Sequence, residues 1–430
     1  MRFSRMVLLA LVFGVGAFGQ TISTIAGTGQ PGFSGDGGPA IHAQFSEPRH
    51  LAVDAAGNVY VLDSNNIRIR RITPAGIITT VAGTGQQVES TKGPATHSGL
   101  LGVGGFAVMP NGTLYIADAT GLQKVDPSGM LSLVVTGKSV GGVALGRSAV
   151  YYSGVSDVWL LGPNGTDKVV GGAYPGDASD GGPATRATFF VSHTAVDPAG
   201  NIYVADKEAH RIRKFAPRGV ISTLAGDGTP GFAGDGGPAA HSKLNRPESI
   251  AIDVAGNVYI ADTANFRIRR VSTDGVITTF AGGSGQNNRE GDGGQAIDAH
   301  IGAPYDVAVG CAGVYITDVE SVRKIALPDP LIAYNGVLDG AGKASIAAGQ
   351  PFSITGCNLA STSANADRNQ PLPQTLGRAS VTVNGMPATL SSTDPTHIMA
   401  VAPTGITAGS VKVVVSVGSM HSAPLSVPAR

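Results

Sequence analysis

The stretch "HLAVDAAGNVYVLDSNNIRIRRITPAGIITTVAGTG", residues 50–85, holds four short runs rich in β-branched and aromatic residues: "LAVD", "NVYVLD", "IRIRRI" and "IITTVAG". Between them stand "AAGN", "SNN" and "TPAG", which supply the Gly, Asn and Pro of tight turns. Runs joined this closely form a four-stranded antiparallel meander. The same grammar returns as "HTAVDPAGNIYVADKEAHRIRKFAPRGVISTLAGDG" from His193 and as "SIAIDVAGNVYIADTANFRIRRVSTDGVITTFAGGSG" from Ser249. Repetition of one such unit is the mark of an array in which each sheet packs on the next.

Weaker copies begin at Gly105 and Gly142, the latter with "YYSG" in place of the usual Tyr-x-x-Asp. A last copy, from Asp306, stops after three runs, where Pro328 and Pro330 intervene. The missing run stands at the other end of the chain: "TISTIAG", residues 21–27, matches "IITTVAG" but precedes any complete copy. A closed ring of six sheets, its last completed by the N-terminal strand, explains both oddities and leaves no open edge. The expected fold is therefore an all-β, six-bladed β-propeller.

Beyond residue 328 the repeat ends. "ASIAAGQPFSITGCNLAST", "ASVTVNGMPATL", "HIMAVAP" and "GSVKVVVSVGSM" alternate between Gly-rich turns, which predicts about seven short strands in an immunoglobulin-like β-sandwich over 329–430.

The repeats, through the pattern "PxxIAVDxxGNVYVADxxNxRIRR", resemble the NHL-repeat β-propellers of teneurin type over roughly residues 21–327. The runs "FSITGCNL" and "VTVNGMPA" resemble IPT/TIG domains. That second resemblance implies a spacer or adhesion module.

Composition agrees with a turn-rich β protein: 62 of 430 residues are Gly, and only 14% are charged. Thirty basic residues balance thirty acidic ones, which removes the electrostatic case for nucleic acid or an anionic membrane as partner. Residues 1–19, with Arg2 and Arg5 ahead of an apolar run and Ala17 and Gly19 before the expected cut, predict a signal peptide, hence a secreted or periplasmic protein. No later stretch approaches the length of an apolar membrane span. Two cysteines, Cys311 and Cys357, exclude a thiolate zinc site. In an oxidising compartment they are candidates for a disulfide between propeller and tail.

Asp63, Asp118, Asp206, Asp262 and Asp318 follow the second strand of their blades; five copies point to turn-building, each carboxylate accepting N–H bonds in the next turn. The alternating arginines of the third strands are expected to pair with acidic neighbours. Asp36, Asp180, Asp235 and Asp292 sit in the "DGG" of the long loops between blades, typified by "AGTGQPGFSGDGGPA" from Ala26. Turn and cap duty is their expected role, a shared ligand rim the alternative. These loops are expected to cross one face of the ring, with Pro-initiated helical turns seated on the blade tops.

At the channel mouth each blade contributes the start of its innermost strand. Those positions hold Arg49 and His50, Gly104 and Gly105, Gly141 and Gly142, Ser192 and His193, Glu248 and Ser249, Tyr305 and Asp306. Such asymmetry suits a ligand site. Amidating lyases on six-bladed propellers place zinc-binding histidines directly after the blade-start Pro, where no histidine stands here, and no gluconolactonase-like Glu, Asn and Asp set can be placed. His50, His193 and Asp306 can meet at a metal only if opposed blades approach closely. The sequence thus supports a secreted, non-enzymatic propeller that binds an extracellular or periplasmic protein or glycan through its loop-bearing face, without cofactor. The alternative is a metal-dependent hydrolase or lyase at the channel mouth, with a divalent cation and at least three convergent carboxylates and imidazoles as its mark.

Overall fold

The computed structural model describes residues 20–146, 149–162, 168–173, 176, 180–283, 290–327, 330–367 and 370–429; the expected signal peptide lies outside them. Six antiparallel sheets form the propeller. Blade 1 runs Pro48–Val53, Val59–Asp63, Arg68–Ile72 and Ile78–Ala82. Blades 2 to 5 repeat this order, starting at Gly105, Gly142, Val191 and Pro247; blade 2 gains a short outer strand, Gly93–Pro94. Blade 6 comprises Val307–Gly310, Gly313–Thr317 and Val322–Ala326, completed by Ile22–Ala26 in antiparallel register, with Ile22 opposite Ile325.

The second strand of a blade is apolar up to its closing Asp because it is covered on both faces: all five residues of Val59–Asp63, Ile202–Asp206 and Val258–Asp262 are buried. Each interblade cluster mixes residues of neighbouring blades, as where Ile72 and Ile78 of blade 1 pack with Ala308, Tyr315 and Val322 of blade 6. Burial is thus distributed around the ring.

The long loops depart from expectation. Pro39, Pro94, Pro183 and Pro238 adopt extended backbone as N-caps of 3-10 turns and are not the first helical residue. Nor do the turns sit on the blade tops. Ala40, Ala43 and Phe45 wedge into the seam between blades 6 and 1, while the loop binds the outer strand of blade 1 through Gly37 N–H to Ile78 O and Ile78 N–H to Gly38 O. An anchor buried within the blade explains this path. The Arg70 guanidinium, fully buried, bonds Asp36 at 2.8 Å on its loop side and Asp63 at 3.3 Å on its blade side. Arg269 repeats the clamp with Asp235 and Asp262, and Arg323 with Asp292 and Asp318. Arg213 holds Asp180 tightly and Asp206 at 3.9 Å. In blade 2 Gln123 takes the arginine's place against Asp118.

The strand-end carboxylates also differ from the expected turn role. Asp63 accepts the N–H of Ser46, Asp262 that of Asn245 and Asp318 that of Gly302, each 2.7 Å away. These donors lie upstream, where the chain enters the innermost strand, so the carboxylate ties the end of one strand to the approach of its neighbour. Asp118 also serves its own following turn through the N–H groups of Thr120 and Gly121, Asp206 through that of Ala209, and Asp63 and Asp262 through the side-chain amides of Asn66 and Asn265.

The tail forms two packed sheets, with strands such as Leu331–Asp339, Pro351–Cys357 and Gly409–Val417 enclosing a core of Phe352, Ile354, Leu390 and Val413. Cys311 and Cys357 form a disulfide, and Asn358 Nδ2 donates to the carbonyls of Cys311 and Leu327. Cys311 lies in the turn after Val307–Gly310, so the tail is fastened at the end of that strand remote from Asp306.

Candidate functional site

The innermost strands converge with one residue per blade at equivalent positions: His50, Gly105, Gly142, His193 and Ser249 lie opposite Leu62, Ala117, Ser153, Ala205 and Ala261 of their second strands. In blade 6 the carbonyl of Asp306 accepts the N–H of Thr317. This ring of six lines the channel mouth.

His50, His193 and Asp306 come together. One ligand atom from each lies within 4.8 Å of the others. The imidazoles of His50 and His193 stack with centroids 6.2 Å apart and planes 20° from parallel, and His50 Nδ1 is 3.6 Å from Asp306 Oδ2. The close approach the sequence left conditional is therefore met. Its cause lies in the two glycine blades: a Cβ on Gly104 would meet Gly141 O at 2.3 Å, so blades 2 and 3 touch backbone to backbone. Gly105 lies beside the His50 ring, where a Cβ would stand 3.7 Å from Cε1. With no side chains on that side, the imidazoles of blades 1 and 4 reach across.

Asp306 is fully buried and held on several sides. Its Oδ1 accepts the Ser249 hydroxyl and the Val307 N–H, and Oδ2 accepts the N–H of Leu51. Its own N–H donates to Thr317 Oγ1 at 2.9 Å. Burial pushes the carboxyl up, but the facing His50 and His193 and the Ser249 hydroxyl outweigh it, and the net displacement is downward. Burial pushes the His193 imidazole down from its usual range; Asp306 opposes this and His50 adds to it. His193 Nδ1 is buried without a hydrogen-bond partner among the described residues. Two imidazoles and a carboxylate within this reach are a donor set able to hold a divalent cation.

The other mouth positions form two bridges between blades. Ser192 Oγ donates to Glu248 Oε2 at 2.9 Å, and Lys207 Nζ lies 3.2 Å from the same carboxylate. The Arg49 guanidinium covers the Tyr305 ring at 4.8 Å and pairs with Glu47. The loop aspartates do not join this group: Asp36, Asp180, Asp235 and Asp292 are each engaged by an arginine of a blade's third strand. What the loops do present is aromatic. Phe33 and Phe232 are exposed, with Arg68 and Arg267 stacked on them at 4.1 and 3.9 Å. Sequence reasoning missed Thr317 and Lys207; the signal for Thr317 was its place in a position where blades 2, 4 and 5 hold Ala.

Comparison with known proteins agrees with this architecture. A family model described as the teneurin NHL domain matches residues 23–101 and 228–289, the NHL repeat matches 192–215, and the IPT/TIG domain matches 343–428. Teneurin-1 of Mus musculus is 27% identical over 280 residues, 59% of this chain and 9% of that protein. Teneurin-3 of Mus musculus is 29% identical, covering 53% of this chain and 11% of its own length. The chain thus spans about a tenth of the curated relatives it matches. Among solved structures, a protein of unknown function from Bacteroides thetaiotaomicron superposes with a TM-score of 0.56 at 21% identity, covering 71% of this chain and 76% of that one. An auxiliary nutrient binding protein from Bacteroides ovatus gives 0.54 at 15%, covering 72% and 76%. These likenesses show a shared fold.

Proposed function

We propose that this chain of NHL repeats followed by an IPT/TIG domain is an exported, non-enzymatic binding propeller that takes an extracellular or periplasmic protein or glycan on the face holding the channel mouth. The observation that carries the reading is the contrast between scaffold and mouth. The arginine clamp recurs in four blades, whereas the ring at the mouth carries two imidazoles, two glycines, a hydroxyl and a carboxylate. The clamp repeats as part of the scaffold, which does not need the mouth to vary.

Phe33 and Phe232 supply flat apolar platforms on the loops, suited to stacking against a sugar face or a partner's side chains. The Bacteroides neighbour described as an auxiliary nutrient binding protein fits a binding role, at an identity that speaks for fold alone. Export accords with the expected signal peptide.

The test is a glycan array and a pull-down of extracellular proteins with the mature chain and with Phe33→Ala/Phe232→Ala. Loss of a captured ligand in the double variant, with melting unchanged, supports the reading. Capture that ignores these residues overturns it. The hydrolase or lyase reading is favoured by one observation, the convergence of His50, His193 and Asp306, and requires turnover of the captured ligand.

A further inference from the structure

We propose that the channel mouth binds one first-row transition-metal dication of the Zn²⁺ class through His50, His193 and Asp306. The inference is separate from the docking reading, because none of the three residues belongs to the loops that carry Phe33 and Phe232.

Two imidazoles and one carboxylate suit zinc, cobalt, nickel or iron(II); calcium and magnesium prefer shells of oxygen alone. Ligand bonds of 2.0–2.1 Å in a tetrahedral site place donor atoms roughly 3.4 Å apart. The three atoms here lie within 4.8 Å, so modest rotation of the two imidazoles closes the set. Asp306 is already oriented for this by Ser249 and Val307 on Oδ1, the outer-shell arrangement that fixes a ligating carboxylate. His193 Nδ1, buried with no hydrogen-bond partner among the described residues, is a nitrogen that a metal would satisfy directly or whose ring it would reorient.

Three protein ligands leave coordination positions open. The bare backbone of Gly105 and Gly142 bounds that side, and the Ser153 hydroxyl lies within 3.0 Å of where a Cβ on Gly142 would stand. A water or an oxygen donor of a docked molecule fits there, as in zinc sites that keep one position for an exchangeable ligand.

The experiment is titration of chelator-treated mature protein with Zn²⁺ by calorimetry, with Co²⁺ absorbance reporting coordination and Mg²⁺ and Ca²⁺ as comparison ions. One Zn²⁺ per chain is expected, with a rise in melting temperature on binding. Ser249→Ala should weaken binding roughly 10- to 100-fold, and His50→Ala and His193→Ala at least as much. His397→Ala, on the tail, should match the parent. Circular dichroism and apo melting separate metal loss from misfolding; should Asp306→Asn fail to fold, the histidine variants decide. Absence of saturable Zn²⁺ binding by the parent overturns the inference, as does undiminished binding in both histidine variants. Either outcome leaves ligand capture through Phe33 and Phe232 untouched.

Discussion

Ile22 lies opposite Ile325, so the first strand of the propeller completes its last sheet and both side chains are buried in the seam of blades 5 and 6. Deletion of residues 21–27 opens the third strand of blade 6 along its whole length and removes the buried Ile22 and Ala26. The truncated protein should be strongly destabilised and prone to aggregation through the exposed edge. The single change Ile22→Ala should cost about 2–5 kcal/mol. Chemical unfolding checks both, and a truncation with the parent's midpoint sinks the closure.

The arginine clamps predict an unequal pair of losses. Arg70→Met leaves Asp63 buried without its cation, a change that costs about 3–5 kcal/mol where a buried pair is broken. Asp36→Asn touches a carboxylate whose side chain is 39% exposed, and should cost about 1 kcal/mol or less. Equal losses in urea would argue that burial does not set the strength of the clamp.

Removing the link between Cys311 and Cys357, a loop of 46 residues, should cost roughly 3–4 kcal/mol by chain-entropy reasoning. Because the bond joins two domains, the loss should appear as looser docking of the tail. Limited proteolysis between the last propeller strand and Leu331 should be faster in Cys311→Ser/Cys357→Ser than in the parent. An identical cleavage rate counts against it.

Asp262 predicts a titration outside the ordinary acidic range. Burial pushes its carboxyl up to about 6, against the N–H of Asn245, the Asn265 amide and Arg269, which all pull it down. A carboxyl with a higher pKa folded than unfolded holds its proton more tightly in the fold. Its contribution therefore favours the folded state below its unfolded value of 3.8 and is withdrawn as pH rises through about 6. Carboxyl-carbon NMR of the folded protein should show this midpoint, and one below 4 contradicts it.

The ring was legible because it is written as self-similarity: three long copies, worn copies between and after them, and an orphan strand at the start. The residues at the mouth were legible too, since each occupies the same place in its repeat. Their distances were not. The approach of His50 to His193 depends on Gly104 and Gly141 letting two blades meet at their backbones, a contact between units that no pattern within a unit encodes. The same holds for Asp63, whose backbone partner Ser46 belongs to the approach to the blade, while the turn that follows adds only the Asn66 side-chain amide. The loops misled for a related reason: glycine-rich chain has little path of its own, and a buried guanidinium draws Asp36 down to the outer strand.

Val307–Gly310 has Asp306 just before one end and Cys311 just after the other. A molecule held by a tag on the tail therefore presents its mouth away from the support. Immobilised on a sensor chip in that way, the chain is tethered through the end of the blade opposite His50 and His193.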